Sequence, residues 1–226
     1  MKNINDVLVV IQARLNSQRI PKKMLKPIGN SNLFEIAIDK VLQSNVIPKS
    51  NFYVSIYEDE LISIAQSKNV NIYKRSYESA NNDNSLQKIY EWHDKLPFKY
   101  VIKINGCSPL LKTETIDKFI NTFLKQKEEN LFGVIESKDY YWNKEGVLTT
   151  PWPSNQTIMN TKAVEITYKA AHVLYASRID LIKNNMFMGD FQKKNGIKLY
   201  PMNELECFDI DYEWQFELGK KLYENL

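Results

Sequence analysis

Positive charge is concentrated in one stretch near the start of the chain, between Val7 and Phe34. This stretch contains no acid and five basic residues: Arg14, Arg19, Lys22, Lys23 and Lys26. Such cations repel one another unless they are well solvated or bind an anion. Arg offers a planar fork for phosphate oxygens, Lys a compact charge, and Ser17 can add a hydroxyl donor. The residues therefore predict a phosphate site, although charge alone leaves a simple solvated loop open.

Two carboxylates stand close together near the other end, in Phe208-Asp209-Ile210-Asp211. Alternate residues of an extended segment share a face, so both aspartates would point one way while Phe208 and Ile210 face the core. Like charges so close repel, and a hard cation such as Mg²⁺ with oxygen ligands relieves that repulsion. A strand end in which Asp211 caps the next helix is the alternative interpretation.

Both motifs need a fold to position them, and the hydrophobic periodicity indicates an α/β protein. Apolar runs predict strands at 7–12, 52–57, 70–73, 100–104, 131–136, 171–176, 197–200 and 207–210. Helical spacing predicts helices at 33–44, 86–95, 114–127, 178–184 and 213–223, and one that ends near residue 68. This alternation predicts a three-layer, Rossmann-like, mainly parallel sheet. Such sheets bind ligands at the carboxyl ends of their strands, where the basic loop follows the first strand.

Residues 138–167 interrupt this alternation, and they are rich in Tyr, Trp, Pro and Asn. We interpret the chain as one domain, residues 1–226, with a hairpin-like excursion at 138–167. Cys107 and Cys207 stand a hundred residues apart without a nearby pair of histidines, which predicts neither a disulfide framework nor a zinc site. That pattern suits the cytoplasm. Net charge is +3, so the chain outside the basic stretch is mildly acidic, and we expect no nucleic-acid partner. No apolar run approaches the ~20 residues needed to span a membrane.

The basic stretch is neither a Walker A motif nor a Rossmann glycine fingerprint. Arg14-x-x-Ser17-x-Arg19-x-Pro21-x-Lys23 instead resembles the N-terminal signature of bacterial cytidylyltransferases, which include CMP-N-acylneuraminate and CMP-Kdo synthetases. Asp209-Ile210-Asp211 and the helix after it are similar to the closing motif of that family. The resemblance implies a Mg²⁺-dependent transfer of CMP from CTP to a nonulosonate-type 2-keto sugar acid, with release of pyrophosphate, in surface polysaccharide biosynthesis.

The resemblance also implies roles for individual positions of this chain. Catalytic roles fall to Arg14, Lys23 and Asp211, and Asp209 and Asp211 would bind the metal. The nucleotide-binding positions would be Gln12, Ala13, Arg14, Ser17, Arg19, Lys23, Arg75, Asp83, Asn105 and Cys107. His172 and Tyr175 would border the acceptor. Cys107 stands where Kdo enzymes carry a metal-binding Asp, which favours the acylneuraminate branch.

The excursion at 138–167 corresponds to the dimerisation segment of the family, so the resemblance implies a homodimer. Packing of this excursion against its own core is the alternative. Three other functions stay open at this point. The acceptor could be a phosphorylated or phosphonate molecule; the D-x-D could belong to a GT-A-like glycosyltransferase; or the chain could be a nucleotide-binding module without catalysis. No general base is evident.

Overall fold

The computed structural model describes residues 1–225. Within these residues the strands are β1 (Val7–Gln12), β2 (Pro27–Ile28), β3 (Ser31–Asn32), β4 (Phe52–Ile56), β5 (Asn71–Lys74), β6 (Tyr100–Ile104), β7 (Leu131–Ser137), β8 (Thr167–Arg178) and β9 (Leu199–Pro201). The α-helices are α1 (Leu33–Leu42), α2 (Asp59–Ser67), α3 (Tyr77–Ala80), α4 (Leu86–Ile89), α5 (Thr113–Lys125) and α6 (Glu213–Glu224).

Seven strands form one sheet in the order β5-β4-β1-β6-β8-β7-β9, and β2 and β3 form a separate two-stranded ribbon. The central strand β1 pairs in parallel with β4 and β6. Strand β8 runs antiparallel to both β6 and β7, and β9 is parallel to β7. The mainly parallel sheet predicted from the sequence is thus confirmed.

Alternate side chains of β1 enter two different cores. Val7, Val9 and Ile11 belong to the larger core, which also contains the apolar faces of α1, α2 and α5. Leu8 and Val10 belong to a smaller core on the other face, built around the fully buried Trp92. Because both faces of the strand are covered, β1 is apolar at successive positions instead of alternating. The result is the expected three layers.

Three predicted elements differ from the structure. The helix expected over 86–95 stops at Ile89 and gives way to a 3-10 turn, Glu91–Asp94, which buries Trp92 against the sheet. The helix expected over 178–184 is a 3-10 helix, Ile179–Asn184. The strand expected over 207–210 is not part of the sheet. There the chain makes a 3-10 turn, Leu205–Cys207, and then runs extended, because tertiary packing overrides a short apolar pattern.

The excursion begins where β7 ends and closes where β8 begins, since Ser137 is paired with Thr167 across the two strands. It is a long irregular loop with one isolated bridge, Trp142 to Leu148, and a short 3-10 turn near its end, Thr161–Ala163. No helix within residues 1–225 is long and apolar enough to cross a membrane.

Candidate active site

The basic stretch and the aspartate pair meet at one place. The Nη2 atom of Arg19 lies 2.7 Å from Oδ1 of Asp211, and the Nζ atom of Lys23 lies 3.4 Å from the same oxygen. Lys23 is buried and also donates to the carbonyl of Ile210. Asp211 therefore contacts two cations that line the cleft at the carboxyl end of β1.

That cleft has a volume of about 500 Å³ and lies beside the carboxyl end of β1. Its lining residues are Gln12, Ala13, Arg14, Asn16, Ser17, Gln18, Arg19, Lys23, Met24, Asp83 and Cys107. Three cations line it, against one acid. This charge balance suits an anionic ligand the size of a nucleotide phosphate chain.

Apolar anchors hold the loop that carries these cations. Ile20 and Met24 are buried in the larger core and fix the backbone of this segment, in which Lys22 is exposed and Lys23 is buried. The hydroxyl of Ser17 accepts from the backbone N–H of Ile20 at 3.4 Å. Glu58, at the end of β4, accepts from the N–H of Leu15 at 2.7 Å. The sequence analysis does not single out Glu58, because an acid at the start of a helix is common and gives no signal of the loop that it anchors.

Two predicted nucleotide-binding residues are already bonded inside the protein. The side chain of Gln12 accepts from Trp92 Nε1 at 3.1 Å and donates to the carbonyl of Ile89 at 3.3 Å. The N–H of Ala13 donates to the carbonyl of Ser55 at 3.1 Å. Both residues form the cleft wall, and the amide nitrogen of Gln12 keeps a second hydrogen beyond its bond to Ile89.

Arg14 and Asp83 join the two loops that flank the cleft. Their side chains form an ion pair of 2.8 Å, and Asn16 Nδ2 donates to Asn81 Oδ1 at 3.3 Å nearby. Unlike Arg14, which pairs with an acid, Arg75 is bonded to its own neighbouring segment. It is 4% exposed and donates through Nε to the hydroxyl of Ser79 at 3.0 Å. Burial lowers the pKa of Arg75. Arg75 therefore fixes the segment around α3 as well as lining a cavity beside the cleft.

The turn after β6 supplies the floor of the site. Asn105 accepts from the N–H of Cys107 at 3.0 Å and donates through Nδ2 to the carbonyl of His172 at 2.9 Å. The thiol of Cys107 lies 3.8 Å from the sulfur of Met24. Burial raises the pKa of Cys107, so the thiol stays neutral and acts as a wall. Asn105 ties this turn to β8.

The aspartate pair lies on an extended segment held in place by a buried side chain. Ile210 is fully buried, and its N–H donates to the carbonyl of Cys107 at 3.0 Å. Oδ1 of Asp209 is buried without a hydrogen-bond partner within residues 1–225. Burial, and then the charge of Asp211, raises the pKa of Asp209. A carboxylate kept in this state needs a cationic or donor partner.

The alternative role of Asp211 as a helix cap is not what the structure shows. Tyr212 is the N-cap of α6, and Oε1 of Gln215 accepts from the N–H groups of Asp211 and Tyr212 at 2.7 and 2.8 Å. Gln215 therefore satisfies the start of the helix. The carboxylate of Asp211 does not cap the helix and contacts Arg19 and Lys23 instead.

His172 is aimed into the site by a bulge in β8. Ala170 pairs with Val134 but Tyr175 pairs with Phe132, so β8 carries extra residues at this point. His172 takes a left-handed conformation there, with φ 58°. Bulges commonly re-aim a side chain in this way. Its Nδ1 lies 3.3 Å from the hydroxyl of Tyr175.

A second cavity, of about 280 Å³, opens on the other side of the aspartates. Asp209, Asp211 and His172 line it together with Lys169. Tyr175 does not line this cavity, so it would act there through His172. Lys169 was not singled out from the sequence, because a lone Lys in a strand gives no signal of the cavity it faces.

The donor set of the aspartate pair fits Mg²⁺. Within the described part of the chain, no three His, Cys, Asp or Glu side chains come together as a metal site. Two carboxylates are therefore the candidate protein ligands, and one of them has an unpartnered buried oxygen. Mg²⁺ commonly takes one or two carboxylates and completes its shell with water and substrate phosphates.

Comparison with known proteins identifies the family. A family model described as cytidylyltransferase matches residues 8–226. This chain belongs to the cytidylyltransferase family. The family predicted from the two motifs is thereby confirmed, whereas the preference for its acylneuraminate branch stays a prediction.

Relatives of this family member come from several bacteria. It is 26% identical over 125 residues to the spore coat polysaccharide biosynthesis protein SpsF of Bacillus subtilis, covering 54% of this chain and 52% of SpsF. It is 28% identical over 212 residues to the 3-deoxy-manno-octulosonate cytidylyltransferase of Rickettsia prowazekii, covering 92% and 76%. The chain thus spans about half the length of SpsF and about three quarters of the Rickettsia enzyme.

Solved structures share its fold. A CMP:2-keto-3-deoxy-manno-octonic acid synthetase complexed with CTP superposes with a TM-score of 0.70 at 13% identity, covering 97% of this chain and 99% of the other. A 4-diphosphocytidyl-2C-methyl-D-erythritol synthase from Anaerococcus prevotii gives 0.69 at 16% identity, with 96% of each chain covered. These likenesses confirm the α/β fold of the chain.

Proposed function

We propose that this cytidylyltransferase transfers CMP from CTP to a small acidic sugar, a 2-keto sugar acid of the nonulosonate type, and releases pyrophosphate. The observation that carries the proposal is the contact of Asp211 with Arg19 and Lys23, two cations that line the cleft. Family membership supports CTP as the nucleotide. The names of the Bacillus and Rickettsia relatives support a sugar-acid acceptor and a place in polysaccharide synthesis.

The reaction is a single displacement at the α-phosphorus of CTP. A hydroxyl oxygen of the acceptor forms the new P–O bond, its proton passes to solvent, and the bond to pyrophosphate breaks. Arg14, Arg19 and Lys23 line the cleft and would neutralise the charge that develops on the leaving pyrophosphate. Most of the rate enhancement then comes from positioning and electrostatics, as in other phosphoryl-transfer enzymes.

Asp209 and Asp211 are the residues that would hold Mg²⁺. When bound, the ion would supply Lewis-acid polarisation of the phosphate. In the structure Asp211 is neutralised by Arg19 and Lys23. Substrate phosphates would compete with Asp211 for these two cations, so nucleotide binding would release the carboxylate. This exchange of partners would link occupation of the phosphate subsite to assembly of the aspartate pair.

The cavity on the far side of the aspartates is the proposed acceptor site. It contains the cation Lys169 and the imidazole of His172, beside Asp209 and Asp211. Within residues 1–225 the single ion pair of Lys169 is a long one, 3.9 Å, with Glu204 of the same cavity, so Lys169 remains available for an acidic group. A small acceptor bearing a carboxylate suits this arrangement. The alternative, an acceptor bearing a phosphate, is compared with it in the assay below.

We also propose that the excursion at 138–167 joins two copies of the chain. Tyr141, Trp142, Trp152, Ile158 and Met159 are exposed along it, by between 42% and 69%. Aromatic residues and Met are enriched in protein interfaces. Sedimentation would show a dimer for the full chain, and Trp142→Ser combined with Ile158→Ser would shift it toward monomer.

A pyrophosphate-release assay tests the activity. CTP with Mg²⁺ is offered to a panel of 2-keto sugar acids and to phosphorylated and phosphonate compounds, with UTP and ATP as nucleotide controls. We expect release with CTP and a keto sugar acid, and loss of at least about 100-fold in Asp211→Ala. Glu217→Ala, an exposed acid on the neighbouring helix, should keep normal turnover.

Two results would overturn the proposal. Tight CTP binding without pyrophosphate release for any acceptor would identify a nucleotide-binding module. Near-normal turnover of Asp211→Ala would refute the metal assignment.

A further inference from the structure

A side cavity of about 210 Å³ lies next to the main cleft. The two share Gln12, Ala13, Arg14 and Asp83, so a ligand in the cleft can extend into the side cavity. The aspartate pair does not line it. This separation makes the side cavity a place for the nucleoside part of a ligand whose phosphates lie in the cleft.

Most polar side chains of the side cavity are already bonded within the protein. Both polar atoms of Gln12 are used, by Trp92 and Ile89. Arg14 and Asp83 are paired with each other at 2.8 Å. The guanidinium of Arg75 donates to Ser79 through Nε at 3.0 Å and through Nη2.

Asn82, the next polar side chain of the cavity, uses its oxygen for two backbone N–H groups, those of Asn84 and Ser85, at 3.0 and 2.8 Å. These bonds fix the loop that closes one side of the cavity. Only the amide nitrogen of Asn82 is then left to face a ligand, and it is a neutral donor.

Lys103 differs from all of these groups. It lies on β6 beside Val10 of β1 and Tyr175 of β8, on the opposite face of the strand from its buried neighbours Ile102 and Ile104. Its ammonium lies 5.3 Å from the centroid of the Tyr175 ring. Within residues 1–225 it makes no hydrogen bond or ion pair. Its three donors are therefore available to a partner that accepts hydrogen bonds.

An aliphatic and an aromatic side chain line the rest of the cavity. They are Ile89 and Tyr90, and the ring of Tyr90 is stacked on Phe187 with centroids 4.7 Å apart and planes 20° apart. Small-molecule sites combine such apolar walls with a few placed polar groups. A planar ring with acceptor atoms on its edge would use both this lining and the ammonium of Lys103, whereas a bare phosphate would use the ammonium alone.

We propose that Lys103 is a specificity-determining residue that donates hydrogen bonds to the O2 and N3 edge of cytosine in this cavity. The inference rests on the proposed use of CTP. Lys offers donors and no acceptor. In cytosine N3 is an acceptor, but in uracil N3 carries a hydrogen, so an ammonium at this edge favours CTP over UTP.

Binding measurements without acceptor test this directly, because CTP is not consumed when the second substrate is absent. Dissociation constants for CTP and UTP are measured by titration calorimetry for the wild type, Lys103→Met and Lys103→Arg. We expect Lys103→Met to weaken CTP binding roughly 10- to 100-fold and to bring CTP and UTP to similar affinities. Lys103→Arg keeps donors in the cavity and should retain most of the preference.

Lys99→Met is the matched control. Lys99 directly precedes the same strand, but its side chain is 72% exposed and paired with Asp6. It should bind both nucleotides as the wild type does. Circular dichroism of each variant shows that the fold is intact, and Lys103→Arg provides the comparison if Lys103→Met does not fold.

The possible failures point to different conclusions. A wild type that binds neither CTP nor UTP would overturn the proposed function itself. A wild type that prefers CTP, with the same preference in Lys103→Met, would overturn only the assignment of Lys103. Equal weakening of both nucleotides by Lys103→Met would place the contact on the ribose or phosphates and would also overturn it.

Discussion

Arg19 and Asp211 are 192 positions apart in the chain, and their side chains are 2.7 Å apart in the structure. Both side chains are partly exposed, by 52% and 32%, so the ion pair contributes little to stability. Its importance is positional. A loop that follows the first strand contacts a segment that precedes the last helix, which is what a triphosphate bound by both would require.

Asp209→Asn should stabilise the protein while abolishing its activity. The pKa of Asp209 is raised, so the charged form is disfavoured in the folded state. Stability is therefore lost as the pH rises from the unfolded value, about 3.8, through the folded pKa. The neutral amide of Asn removes this loss of stability. We expect the free energy of unfolding, measured with urea, to rise by roughly 1 kcal/mol.

Mg²⁺ provides the second readout for that variant. Adding the ion should raise the Tm of the wild type, and chelation should reverse the gain, because a ligand of the folded state stabilises it. Asp209→Asn should show no such response, whereas Glu217→Gln should respond like the wild type. An equal response of Asp209→Asn would contradict the proposed ligand role.

Lys23→Met and Lys22→Met should differ sharply although the residues are adjacent. Lys23 is buried and contacts Asp211, whereas the side chain of Lys22 is 65% exposed and pairs with Glu60. We expect Lys23→Met to weaken binding of CTP and of pyrophosphate by roughly 10-fold or more, since a charge-assisted contact is lost. Lys22→Met should bind both as the wild type does. Similar losses of affinity in the two variants would indicate that the net positive charge of the loop, and not a specific contact of Lys23, attracts the phosphates.

Gly133→Ala should disturb the bulge that aims His172. A methyl group at Gly133 would lie 2.7 Å from the sulfur of Met202 and 3.0 Å from the carbonyl oxygen of Leu174. Overpacking of this kind destabilises by about 1–3 kcal/mol. Because the carbonyl belongs to the bulge itself, the loss should persist when Met202→Ala removes the flexible neighbour. Full rescue by Met202→Ala in unfolding measurements would show that the bulge is not the constraint.

Lys40 should make stability depend on pH. Its ammonium donates to the carbonyls of Ser108 and Pro109, and burial lowers its pKa to about 7 from 10.5. Between these values the unfolded chain binds a proton that the folded chain does not, so the free energy of unfolding rises with pH. The slope contributed is at most about 1.4 kcal/mol per pH unit.

Comparison with Lys40→Met isolates that contribution, because other groups also titrate above pH 8. The difference in unfolding free energy between wild type and Lys40→Met should increase from pH 7 to pH 9. For Lys144→Met, whose side chain is 92% exposed, the difference should stay flat. Parallel profiles for the wild type and Lys40→Met would refute the lowered pKa.

The sequence predicted the layered fold because continuous apolar runs and helical spacing are local properties. It predicted less well where packing competes with periodicity. The helix expected at 86–95 stops at Ile89 because Trp92 is buried in the smaller core. The strand expected at 207–210 has no partner in the sheet, because Ile210 bonds instead to the turn at Cys107. Neither outcome can be predicted from the local pattern of apolar residues.

Sequence alone determined which groups can do the chemistry: a cationic loop after the first strand and twin carboxylates before the last helix. Tertiary structure decided where those groups meet and which other side chains line the site. The amide of Gln12 is used by Trp92 and Ile89, while Lys103 on a neighbouring strand is left facing a cavity. The reason is that the partner of a side chain depends on strand register and on bulges between distant segments, and no local spacing encodes these.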